Sequence, residues 1–80
     1  LMIYPNPALD WVKVVLPDQL SGHSRGEWHL ELSDASGRLL RSLGCGNGDC
    51  LLDMRGLPGG TYVLTARNGN MMYVGKVAKR

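Results

Sequence analysis

Apolar and polar residues alternate with a period of two through most of the chain, the mark of strands with one buried face. In residues 11–17, "WVKVVLP", Val12, Val14 and Leu16 fall on one face and Trp11, Lys13 and Val15 on the other. In residues 27–34, "EWHLELSD", the inward set is Trp28, Leu30 and Leu32, and the charged set is Glu27, His29 and Glu31. No segment holds a helical period for three turns. The same alternation predicts strands at residues 1–4, 38–44, 50–54, 61–67 and 70–79, separated by the turn signals "DASG", "GNGD", "GLPGG" and Asn68-Gly69. Seven short strands at this spacing imply an all-β fold, an immunoglobulin-like antiparallel β-sandwich. A buried Trp28 in a middle strand fits it.

Two turns carry more than punctuation. "YPNP", Tyr4 to Pro7, cannot be helical or central in a sheet, because each proline fixes φ, lacks an N–H and keeps the preceding residue extended. Asn6 is expected to fold its amide onto nearby backbone and set a turn. The corner then links the edge strand at residues 1–4 stiffly to residues 11–17. In the last hairpin, the register set by Asn68-Gly69 puts Tyr62, Leu64 and Ala66 on one face with Met71, Tyr73 and Val77. The opposite face carries Val63, Thr65, Met72, Val74 and Lys76. That is more apolar than a free surface needs, so it is a candidate contact patch unless the rest of the sheet shields it.

Composition bounds the function. Eighty residues suit one domain, residues 1–80, which buries only about 60–65% of its unfolded surface. A formal charge of +2 is too small to imply a nucleic-acid or membrane partner. The chain has no signal-peptide pattern and no apolar run near the ~18 residues of a membrane helix. Since it does not begin with Met, it is expected to be the excised C-terminal module of a longer protein whose targeting signal lies upstream.

Cys45 and Cys50 flank the Asn47-Gly48 turn. In a two-residue hairpin they would be a non-hydrogen-bonded pair with Cα atoms ~4.5 Å apart, within disulfide range but near its lower end. A disulfide, and hence an oxidising compartment, is preferred, with two free thiols as the alternative. Zinc is disfavoured: the pair supplies two ligands, and His23 and His29 belong to a different loop and strand.

No catalytic constellation emerges, and neither cofactor nor metal is expected. Glu27 and Glu31 lie ~13 Å apart on one strand face, too far for a glycosidase pair, with His29 between them as a surface residue. Ser33, Ser36 and Ser42 have no evident base partner. "GCGNG" has no helix after it to hold a phosphate. Asp49 and Asp53 lack the dense acidic cluster of a calcium loop. Trp11 is either an exposed binding residue or packed under the "YPNP" corner, the second being preferred.

Taken in order, "IYPNPALDWVKVVLP", "LELSDASGRLLRSL", "LLDMRGLPGGTYVLTA" and "GKVAKR" resemble the type A C-terminal sorting domain of the type IX (Por) secretion system. The resemblance spans essentially the whole chain. It rests on Pro5, Asn6 and Pro7, on Asp34 with Gly37 and Arg38, on Leu57-Pro58 with Gly60 and Tyr62, and on the basic end with Lys76 and Lys79. The cysteine pair looks like a local addition to it. The resemblance implies an immunoglobulin-like sandwich and a sorting signal without chemistry of its own, attached to an upstream cargo and read by the outer-membrane translocon. Gly60, Tyr62, Gly75, Lys76, Val77 and Lys79 would carry the recognition, with Lys76 and Lys79 presented by the last hairpin. It further implies transit through the periplasm, then the outer-membrane surface or the medium, and cleavage by a cysteine-peptidase-like sortase that can join the cargo to an anionic lipopolysaccharide. Weak self-association through the last hairpin is a further expected contact, and nucleic acid is not an expected partner. The competing reading is an immunoglobulin-like accessory or carbohydrate-binding module of an extracellular enzyme. Flagellar hook-capping proteins carry a similar sandwich with a "YPNP"-like opening, so the corner alone does not decide.

Overall fold

The computed structural model describes residues 2–16, 28–46 and 49–80. Among these, seven strands form: β1 (Met2–Tyr4), β2 (Trp11–Val15), β3 (Trp28–Asp34), β4 (Leu39–Cys45), β5 (Asp49–Asp53), β6 (Gly60–Asn68) and β7 (Met71–Lys79). They build two antiparallel sheets, one ordered β1-β2-β5 and the other β4-β3-β6-β7. This is an immunoglobulin-like sandwich. Compared with the constant-type arrangement, β4 has left the sheet of β1, β2 and β5 and flanks β3 instead.

Alternation decides the core. Val12, Val14 and Leu52 line the inner face of the three-stranded sheet, and Trp28, Leu30, Leu32, Leu64, Ala66 and Val77 line that of the four-stranded sheet, all 2% exposed or less. Met54, just beyond β5, is fully buried, and its N–H donates to the Asp10 carbonyl at 2.7 Å. The Trp28 and Tyr73 rings meet at 5.9 Å and 55°, a tilted contact favoured by ring quadrupoles. No polar or charged residue among the described ones is buried. Apolar packing fills the core.

The last hairpin turns on Gly69 and Asn70, with Asn68 opposite Met71, so its register is two residues from the one an Asn68-Gly69 loop would set. The even shift keeps the expected faces, with Tyr62 opposite Val77, Leu64 opposite Gly75 and Ala66 opposite Tyr73. The expected hairpin between β4 and β5 does not exist. β4 pairs with β3, with a register shift at Leu32/Ser33, whereas β5 pairs with β2. The chain crosses from one sheet to the other between Gly46 and Asp49, and Asn47 and Gly48 lie outside the described residues. The physical reason is the three-stranded sheet's own need. Pairing β5 with β2 sets Cys50 beside Val14 and Leu52 beside Val12 on the inner face, which a β4–β5 hairpin would leave without a neighbour.

Cys45 and Cys50 are joined as a disulfide with Cα atoms 6.1 Å apart, wider than a hairpin pair would be. The link ties the edge of one sheet to the edge of the other.

Candidate recognition surface

The opening corner and the closing strand are one structure. Asn6 does not turn its amide onto nearby backbone, as expected. It reaches across the sandwich: Nδ2 donates to the Lys76 carbonyl at 3.1 Å, and the Ala78 N–H donates to Oδ1 at 2.9 Å. Ala8 continues the line, since its N–H donates to the Ala78 carbonyl at 2.7 Å and its carbonyl accepts from the Arg80 N–H at 3.0 Å. A parallel bridge between Ala8 and Lys79 results. Pro5 and Pro7 bring no N–H groups that would need a partner there, and both preceding peptide bonds are cis. Ala8 is fully buried, although the sequence pattern had not singled it out. A lone alanine after a proline carries no periodic signal.

The other flank of the terminal segment is set by the turn before β6. The Tyr62 hydroxyl donates to the Pro58 carbonyl, a tyrosine corner at the start of the strand. Leu57 packs against the core beside it. Gly60 has φ of 157°, outside the comfortable range of a side-chain-bearing residue. A Cβ on Gly59 would meet the Arg80 carbonyl carbon at 3.3 Å, so a side chain there would crowd the chain's last residue.

The candidate recognition residues do not form a single face. Val77 is buried opposite Tyr62, and Gly75 lies opposite Leu64. Lys76 is exposed on the outer face opposite Val63, whereas Lys79 points to the inner side, half-buried, opposite Gly60. The outer face of β7 also carries Met72 and Val74, 58% and 59% exposed. Shielding by the sheet reaches only Val63 and Thr65, which are half-buried.

Asp34 organises the turn between β3 and β4. Its Oδ1 accepts from the Ser36 hydroxyl at 2.6 Å and from the Ser36 and Arg38 amides at 2.9 and 3.0 Å, while the Gly37 N–H donates to the Asp34 carbonyl at 3.0 Å. These donors, the Ser36 hydroxyl foremost, lower the Asp34 pKa below its ordinary value. The motif residues Asp34 and Gly37 therefore build a turn.

Other polar groups resolve into surface pairs. The Ser42 hydroxyl lies 3.4 Å from His29 Nε2, so Ser42 does have an imidazole neighbour. Glu31 Oε2 contacts that same Nε2 at 3.4 Å, and Glu31 Oε1 meets Arg67 at 3.7 Å. A triad needs the hydroxyl and the carboxylate on opposite ring nitrogens, and here both crowd one. Glu27 lies outside the described residues, as does His23. Asp49 pairs with Lys13 at 3.3 Å. No group of three or more His, Cys, Asp or Glu fit to hold a metal occurs among the described residues.

Trp11 is 42% exposed on the outer face of the three-stranded sheet, and the group over its ring is the Arg55 guanidinium, 4.9 Å from the centroid. Its preferred placement under the corner is thus replaced by a cation–π contact. Arg55 is held in place by Asp53, through both carboxylate oxygens at 3.0 Å. Tyr4 shares that outer face, 43% exposed, opposite Lys13. Two aromatics, one of them engaged by arginine, make a meagre sugar platform.

The family model of the secretion system C-terminal sorting domain matches residues 2–80. The chain belongs to that family. The sorting domain is the C-terminal signal of the type IX secretion system, which directs proteins across the outer membrane to the cell surface or the medium. No curated protein gives a significant match to the chain. The motif that opens the sorting domain and the strand that closes it are the parts that meet through Asn6 and Ala8.

Proposed function

We propose that this sorting domain is an address read from its folded surface, with β7 and its neighbouring corner as the part that is read. The domain performs no catalysis; its partners are an upstream cargo and the type IX translocon. The protein crosses the periplasm before it meets the translocon. At the surface a cysteine-peptidase-like sortase cuts the domain away and can pass the cargo to an anionic lipopolysaccharide. Gly60, Tyr62, Gly75, Val77 and Lys79 shape the end of the sandwich, and Lys76 offers a charge to the partner. The outer face at Met72 and Val74 is the place for weak self-association.

The observation that carries this reading is the family match over residues 2–80, in a fold that joins the family's two terminal motifs. The test is a fusion of this chain behind a periplasmic reporter in a strain with a working type IX system. The reporter is expected at the surface or in the medium, and Lys76→Ala is expected to reduce its export while leaving the domain folded, since removing an exposed charge changes stability by less than ~0.5 kcal/mol. A folded wild-type fusion that stays in the periplasm overturns the reading.

A further inference from the structure

β7 ends the four-stranded sheet, so one flank of it faces no strand of that sheet. Such a flank presents N–H and C=O groups that must find partners elsewhere. Along residues 76–80 the partners come from the corner. Asn6 serves the Lys76 carbonyl and the Ala78 N–H, and Ala8 serves the Ala78 carbonyl and the Arg80 N–H. The first two bonds run to one acceptor and one donor, spaced as a neighbouring strand residue would meet them. A primary amide carries both complementary groups on one short side chain. Asn6 is exposed and lies far in sequence from both contacts, so its bonds are not part of a local turn.

We infer that Asn6 is a positioning residue for the address: its amide stands in for a missing strand and holds residues 76–80 extended for the export machinery. This rests on the reading of β7 as the part that is read. It also accounts for the two prolines around Asn6. They keep the flanking backbone extended and bring no N–H that would compete for the carbonyls of β7. With Asn6 and Ala8 in place, that part of the flank is closed to strand addition by a partner. Recognition there falls to side chains such as Lys76.

The test uses the reporter fusion carrying Asn6→Ala or Asn6→Asp, with export and peptide-resolved hydrogen exchange measured on each. Asn6→Asp keeps the shape and the acceptor for Ala78 but turns an oxygen toward the Lys76 carbonyl. Both variants should speed exchange in residues 76–80 on the order of tenfold while β3 and β6 keep their protection, and both should lower export. Unchanged exchange in that segment overturns the inference. Faster exchange there with export at the wild-type level does too, because the ordered end would then be irrelevant to the address. If Asn6→Ala loses protection throughout, the near-isosteric Asn6→Asp decides, and global unfolding of both makes Asn6 a folding residue and overturns the positioning role. Failure of the wild-type fusion to leave the periplasm sinks the sorting reading instead, and the exchange result still judges whether Asn6 holds the strand.

Discussion

Asp53 accepts from the Arg55 side chain at both carboxylate oxygens and from its backbone N–H at 2.9 Å. These bonds, the side-chain ones first, lower its pKa from 3.8 to about 2. Asp34 moves in the same direction through Ser36 and Arg38. A carboxyl whose pKa is depressed on folding contributes stability that is complete above the unfolded value and lost as pH falls through the folded one. Stability should therefore decline as the pH drops from 3.8 toward 2, the window set by Asp53. Asp53→Asn should flatten part of that decline in a series of urea midpoints against pH. An identical acid slope in the variant would show that other carboxyls control it. The same substitution loosens Arg55 over Trp11, so Trp fluorescence should change as well.

At the scale of elements, the disulfide joins strands of opposite sheets, β4 and β5, across a separation of only 5 residues. So short a loop restricts the unfolded chain little, and reduction should lower stability by about 2 kcal/mol or less. Two outcomes are measurable on secreted material: an intact mass without alkylation before reduction, and a small shift of the urea midpoint after it. Two thiols that alkylate freely in non-reduced protein would remove the bridge from the account. β6 and β7 tell a different story, because their pairing is continuous from Gly60–Lys79 to Asn68–Met71 and needs no covalent help.

At the scale of the whole molecule, a domain of 80 residues has a net stability of only about 4–12 kcal/mol. Its core is a single layer between two sheets, with Leu64 fully buried in the middle of it. Leu64→Ala should therefore cost about 2–5 kcal/mol, a large share of the total. The urea midpoint should fall accordingly, and export of a fused reporter should fall with the folded fraction if the address is read from a folded surface. A mutant that unfolds in urea but is exported normally would mean that the machinery reads an extended chain.

Strand positions and inward faces were legible in the residues themselves. Val12 and Val14, Trp28 with Leu30 and Leu32, and Tyr62 with Leu64 and Ala66 each occupy the side that alternation assigned them. The faces of β6 and β7 were equally legible, but their register was not. Asn68 pairs with Met71 and the loop is Gly69-Asn70, an even shift from an Asn68-Gly69 turn that leaves each side chain on its expected side. Opposition of apolar and polar side chains is a property of one strand, and a two-residue turn constrains only its neighbours. Long-range pairing has no such local sign. Every residue other than proline offers the same N–H and C=O, so nothing in "CLLDM" marks β2 rather than β4 as its partner. Packing of the whole sandwich decided that, and with it the crossing of the Cys45–Cys50 link between sheets. Packing also carried the Asn6 amide to Lys76 and Ala78, contacts that exist only once both ends of the chain have been brought to the same edge.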